Sequence, residues 1–253
     1  MKTAIITGAS AGLGNQFVCQ LKENFPEIEE VWLIARRRER LEKIADEFRD
    51  QFSSHILPLD LCSDDSFETL REELVQRKPD VALLVNNAGC GYLANIHESD
   101  LEKQKRMTDL NVTALTAVTT LVLPYMNRGS HIINVSSIAS FCPNPRMTVY
   151  SSTKAYVSAF TSGLSEELRE KGIYVTATCP GPMDTEFLDL AGISGNSKTF
   201  DMLPHCIDAN VVRGVYRAAK KCRVFHTPKG FFKLYRVVAK ILPQRLMIKF
   251  AKT

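Results

Sequence analysis

The 253-residue chain predicts a single α/β domain built on a doubly wound parallel sheet of about seven strands. Three features carry that reading. Short, β-branched runs recur along the chain and are apolar throughout rather than alternating, as strands buried on both faces must be. Longer stretches of helical period separate them, the pattern of strand–helix–strand crossovers. Glycine-rich or polar motifs stand directly after several runs, where such sheets bind ligands.

The runs are Thr3–Thr7, Val31–Ala35, His55–Leu59, Val81–Val85, His131–Val135, Ile173–Ala177 and Arg223–Thr227. Helix-like stretches such as Arg37–Gln51 and Asp64–Arg77 lie between them. The length suits one large domain, and 45% hydrophobic with 24% charged residues is ordinary for a soluble globular protein. No apolar run reaches the ~18 residues of a membrane span; the richest, Val112–Met126, is interrupted by four threonines and Pro124. A signal peptide has little room before Thr7-Gly8.

The seven cysteines, an odd number without a Cys-x-x-Cys pair, argue against a disulfide framework or a zinc site and for the reducing cytoplasm. Charge is divided unevenly. No Asp or Glu follows Asp208, while 12 Lys and Arg do; the first 208 residues hold 20 basic and 28 acidic side chains, a net of −8. The organisation read from this is a catalytic region over 1–228 and a basic amphipathic extension over 229–253.

After the first strand comes Thr7-Gly8-Ala9-Ser10-Ala11-Gly12-Leu13-Gly14, then a helical segment. Glycines let the backbone turn tightly and approach a pyrophosphate, and the helix N-terminus offers free N–H groups. Between a first strand and a first helix, this loop predicts dinucleotide binding of the Rossmann type. The second strand ends Ala35-Arg36-Arg37-Arg38, without the acid that would hold a ribose 2′-hydroxyl. Cations at a helix start oppose the macrodipole, and a bound 2′-phosphate would turn that misplacement to use, with Arg36 the leading candidate. The cofactor expected is therefore NADP(H).

Further on, Tyr150-Ser151-Ser152-Thr153-Lys154 places Tyr150 and Lys154 at i and i+4, on one helical face. A free tyrosine titrates near ~10, too high for efficient acid–base work, and a neighbouring ammonium is expected to lower it. Ser137 stands 13 residues upstream, at the end of the fifth run.

Together with Asn86-Asn87-Ala88-Gly89 after the fourth run and Pro180-Gly181-Pro182-Met183-Asp184-Thr185 after the sixth, these motifs resemble the short-chain dehydrogenase/reductase family in order and spacing, from residue 3 to about 228. The resemblance implies a carbonyl–alcohol oxidoreductase in which Tyr150 donates the proton, Ser137 polarises the carbonyl oxygen and Lys154 also binds the nicotinamide ribose. It implies that Asn111 holds a water linking the lysine to solvent. It assigns the cofactor to Gly8, Ser10, Gly12, Leu13, Gly14, Arg36, Asp60, Leu61, Asn87, Ala88, Gly89, Tyr150, Lys154, Pro180, Gly181, Met183 and Thr185. Asp60 could equally cap the next helix. Ala11 departs from the family's other common basic position and tempers the NADP(H) reading. A homodimer or homotetramer through the helices of Asn111 and Tyr150 is implied in the same way, and no metal is.

A lid is expected over Glu186–His205, with Phe187, Leu188, Leu190, Phe200, Met202 and Leu203 as its apolar residues and Gly192 and Gly195 as points of movement. Phe141, Met147 and Tyr92 are further candidates to face a lipid-like substrate. In the tail, basic residues at 229, 233, 236 and 240, and again at 245, 249 and 252, form stripes on two helices separated by Pro243. Packing on the body or a sister subunit, peripheral contact with an anionic membrane, and docking of a phosphate-bearing partner are the readings it allows. No nucleic-acid motif is present. The rival to an enzyme is a dinucleotide-binding regulator without turnover, which the presence of Asn111, Ser137, Tyr150 and Lys154 together disfavours.

Overall fold

The computed structural model describes residues 1–192 and 202–250. Its strands are β1 (Lys2–Thr7), β2 (Glu30–Ile34), β3 (Ser53–Leu57), β4 (Asp80–Asn86), β5 (Met126–Val135), β6 (Tyr174–Thr178) and β7 (Phe225–His226). They form one seven-stranded sheet, every pairing parallel, in the order β3-β2-β1-β4-β5-β6-β7. The direction of winding reverses between β1 and β4, which opens a crevice at their carboxyl ends.

Successive strand residues point to opposite faces, and both faces are apolar. Ala4, Ile6, Leu33, Val85 and Ile133 meet Phe17 and Val18 of α1 (Gly12–Cys19), Leu21 of the short α2 (Leu21–Asn24) and Leu41 of α3 (Arg38–Glu47). Val211, Val215 and Tyr216 of α9 (Asp208–Lys220) complete that layer. Ile5, Trp32, Leu84 and Ile132 meet Leu70 and Leu74 of α4 (Asp64–Arg77), Val118 of α6 (Ala114–Val122) and Leu164 of α7 (Thr148–Glu167). This two-sided burial is why the strands read as uniformly hydrophobic.

Two strands differ most from the sequence expectation, and β3 is displaced by two residues from the expected run His55–Leu59. β5 begins at Met126, where a register shift against Val81 is bridged by Ser130, whose hydroxyl donates to Val81 O (2.8 Å) and accepts from Asn127 N (3.1 Å). The polar segment Asn127-Arg128-Gly129, which precedes the apolar run His131–Val135, is thereby drawn into the strand. β7 shortens to two residues.

Before the site lie α5 (Leu101–Thr108) and a π-helical turn at Asp109–Thr113; α8 (Glu186–Leu190) follows β6. The tail forms α10 (Gly230–Ile241) and α11 (Gln244–Phe250), with Leu242 extended before Pro243, as proline demands of its predecessor. Phe232 of α10 is fully buried in the α1/α9 layer, and a Cβ on Gly181 would lie 2.3 Å from its ring, so only glycine lets the two approach.

Phe232→Ala is expected to lower unfolding free energy by ~3–5 kcal/mol, as large core truncations do. Leu234→Ala, on the exposed side of the same helix, should stay within about 0.5 kcal/mol. Urea titration of the two variants checks this; equal losses would contradict the anchoring of α10 by Phe232.

Candidate active site

The crevice is built on Thr7, at the end of β1. Its hydroxyl accepts from Asn87 N and Ala88 N (3.0 Å each) and donates to Val85 O (3.3 Å). Asn87 Nδ2 returns bonds to Thr7 O and Gly8 O (3.1 and 3.2 Å), so the β1 and β4 ends are clasped. The glycines have no room for side chains: a Cβ on Gly14 would sit 2.0 Å from Gly8 O, and one on Gly8 2.8 Å from Asn87 Nδ2. Gly8 and Gly12 also have φ of +66° and +51°, where glycine alone is unstrained. This cradle of close-packed backbone fits a dinucleotide pyrophosphate.

Around it lies a cavity of about 650 Å³. Gly8, Ser10, Gly12, Leu13, Arg36, Asp60, Leu61, Asn87, Ala88, Gly89, Ser137, Tyr150, Lys154, Pro180, Gly181, Met183 and Thr185 all line it. Gly14 and Asn111 stand behind its wall. Asn111, buried in the π-helical turn, accepts from Cys90 N (2.9 Å) and donates to Cys90 O (2.9 Å) and Thr153 Oγ1 (3.0 Å). Its side chain thus holds the loop after Gly89 against α7.

Tyr150 and Lys154 occupy one face of α7, as their spacing predicts. Lys154 is buried, donates to Val135 O (2.9 Å) and has Nζ 5.8 Å from the Tyr150 ring centre. Ser136 ties this part of α7 to β5, its hydroxyl donating to Lys154 O (2.9 Å). Burial lowers the Lys154 pKa to about 8, which leaves the amine mostly charged at neutral pH. Burial likewise pushes Tyr150 up to about 12, while the adjacent Ser137 hydroxyl pulls the other way. The expected lowering by Lys154 is not what governs Tyr150: desolvation of the phenolate does, and the ammonium is directed at a carbonyl. Tyr150 is accordingly protonated at neutral pH, the form that can give a proton. The Ser137 hydroxyl accepts from Ala139 N (3.1 Å) and faces the same cavity.

At the far end, Arg36 has no ion-pair partner among the described residues. Arg37 donates to Ser10 Oγ (3.2 Å) and pairs with Glu186 (3.0 Å), which also pairs with Arg40 (2.7 Å). Asp60 does not cap α4, whose N-cap is Ser63. It accepts from Arg106 (3.0 Å) and Cys62 N (3.2 Å); burial opposes its ionisation, but these bonds and the charge of Arg36 hold its pKa below the usual range.

Of the lid, α8 is described: Phe187, Leu188 and Leu190 line the cavity, as does Leu203, and the Phe187 ring lies 5.8 Å from that of Tyr150. Met202 is exposed. Phe200 and Gly195 lie outside the described residues. Met147 faces the cavity; Tyr92 packs behind it, and Phe141 packs against Tyr235. Sequence reasoning missed the remaining wall, Phe231, Phe232, Tyr235, Val238, Leu242 and Met247 of the tail, and it missed Glu186 as the partner of the arginines. No local pattern marks either, since both arise by long-range contact. Thr7 had a signal, a polar residue closing the apolar stretch Ala4-Ile5-Ile6.

A profile described as short chain dehydrogenase matches residues 2–192. Serine 3-dehydrogenase of Agrobacterium fabrum is 34% identical over 206 residues, 79% of each chain. The human very-long-chain 3-oxoacyl-CoA reductase is 30% identical over 70% of this chain and 58% of its own. Among solved structures, the closed form of a serine dehydrogenase complexed with NADP+ superposes with a TM-score of 0.75 at 27% identity, covering 89% of this chain and 92% of that one.

The lysine pKa sets a stability window. Between about 8 and 10.5 the unfolded chain holds a proton on Lys154 that the folded chain has lost, so stability contributed by this group rises with pH. Tyr150 works in the opposite direction only above 10. Urea midpoints measured from pH 8 to 10 should therefore climb relative to those of Lys154→Met; parallel curves would show that Lys154 is not perturbed.

Proposed function

Because the chain belongs to the short-chain dehydrogenase family, and is an oxidoreductase acting between alcohols and carbonyls with a nicotinamide dinucleotide, we propose that it uses NADP(H) and acts on an apolar, lipid-like carbonyl or secondary alcohol. The observation that carries the chemistry is the meeting of Ser137, Tyr150 and Lys154 at one cavity wall. When bound, the dinucleotide supplies or accepts the hydride. In reduction, the Tyr150 hydroxyl donates its proton to the carbonyl oxygen, on which negative charge gathers. The Ser137 hydroxyl hydrogen-bonds the same oxygen and fixes its position. Lys154 holds the nicotinamide ribose, and Asn111 keeps the Gly89–Cys90 turn and α7 in register. In oxidation the same groups act in reverse.

NADP(H) is supported by Arg36, which has no ion-pair partner among the described residues, by Arg37 bonded to Ser10, and by a β2 end whose own sequence carries no acid. An apolar substrate is supported by the wall of Met147, Phe187, Leu188, Leu203, Tyr235 and Val238. Self-association through α6 and α7 is part of the same reading, with the stacked pair Tyr156 and Phe160 on the outer side of α7.

The kinetic test is a ketone series with both reduced cofactors. NADPH should be preferred, and kcat/KM should rise with alkyl length, by up to about fourfold per methylene if each is fully buried. Tyr150→Phe should cost roughly 10²–10⁴ in turnover. Undiminished activity in that variant would overturn the proton role, and a flat length series would overturn the apolar reading.

The outer side of α10 supports peripheral contact with an anionic membrane. Leu234, Val237 and Ile241, three or four residues apart, share one exposed helical side beside Lys233 and Lys240, in a region without acids. Removing the whole tail would also remove Phe232 from the core, so point variants are the sound probe. Wild type should sediment with phosphatidylserine vesicles and much less with neutral ones, and Leu234→Glu with Ile241→Glu should abolish the difference. Equal binding by the double variant would refute membrane docking through this side.

A further inference from the structure

We propose that Glu186 is a cofactor-discriminating latch: its carboxylate occupies the anion seat on Arg37 and Arg40, and an incoming 2′-phosphate displaces it and releases α8. The proposal rests on the reading that the β2 end receives the 2′-phosphate.

The geometry places an acid where the sequence has none. Glu186 Oε2 lies 3.0 Å from Arg37 Nη1 and Oε1 lies 2.7 Å from Arg40 Nη1, across 149 and 146 residues. Arg37 and Glu186 both line the cavity, and the other nitrogen of Arg37 is bonded to Ser10 of the glycine loop. The bridge therefore spans from the adenosine end of the crevice to the start of the lid. A dianionic phosphate reaching Arg36, which has no ion-pair partner among the described residues, meets the Glu186 carboxylate seated on the following Arg37, and the two repel. The phosphate carries more charge and more acceptor oxygens than one carboxylate and takes the guanidinium of Arg37. The pair is half-exposed on both sides, hence screened and open to exchange.

Displacement has a direct mechanical consequence. Glu186 opens α8, and its neighbour Phe187 covers Tyr150 and fills the space over Gly91, where a Cβ would meet the Phe187 ring at 2.7 Å. Freeing Glu186 loosens the tether that keeps this ring over the acid. A nucleotide without the 2′-phosphate leaves the tether in place. The latch thus couples cofactor identity to access at Tyr150.

Two measurements test it. Calorimetric titration of wild type and Glu186→Gln with NADPH and NADH should show NADPH binding tightened roughly five- to tenfold in the variant, with NADH changed by less than about twofold. Hydrogen exchange of the backbone amides of residues 186–190 should quicken in wild type on adding adenosine 2′,5′-bisphosphate but not on adding 5′-AMP, and should be fast throughout in Glu186→Gln. Equal tightening for both cofactors, no tightening, or α8 exchange indifferent to the bisphosphate would overturn the latch. A wild-type preference for NADH would overturn the cofactor reading instead, while the gain in NADPH affinity on Glu186→Gln would still decide for or against the displacement.

Discussion

One hydroxyl holds the two strand ends between which the sheet reverses. Thr7 accepts the first two backbone N–H groups beyond β4, and those groups would otherwise be left without partners beside an apolar core. The crevice exists because β1 and β4 diverge beyond this clasp, and the packing of Gly8 against Asn87 and of Gly14 against Gly8 needs both ends at fixed positions. The turn after Asn87 then runs to Cys90, where Asn111 takes over and joins it to α7. From Thr7 to Tyr150 the support is a relay of hydrogen bonds, joined through the backbone of Ala88–Cys90, as well as packing.

The acid–base pair is shaped chiefly by dehydration. Burial acts on Tyr150 and Lys154 in opposite directions, raising the first and lowering the second, and in each case disfavours the charged form. A spacing argument can bring the two side chains to one face, but it cannot say how dry that face is.

This marks where the sequence was legible. Uniform apolar runs located all seven strands because both sheet faces are covered, and the glycine loop, the Asn86–Gly89 turn and the i, i+4 pair at Tyr150 and Lys154 are local patterns that survive folding intact. The helix over Asp64–Arg77 agreed to the residue. What could not be read depends on distant chain segments meeting. The entry of Asn127-Arg128-Gly129 into β5 depends on a bulge closed by Ser130 against Val81, and the pairing of Asp60 with Arg106 on α5 reaching the loop after β3 across 46 residues. The same holds for Glu186, whose partners lie on the other side of the crevice.

The wall contributed by α10 bears on how members of this family can diverge. Round that helix, Phe232 serves the core, Tyr235 and Val238 face the cavity with Leu242 just beyond the helix end, and Leu234 and Ile241 face outward. The match to the shared family profile ends at residue 192, before any of them. Exchanges at Tyr235, Val238 or Leu242 can therefore reshape what the cavity accepts while the core anchor and the motifs stay constant. Two such chains could carry the same chemistry and answer to different metabolites, with part of the distinction written in their last few turns.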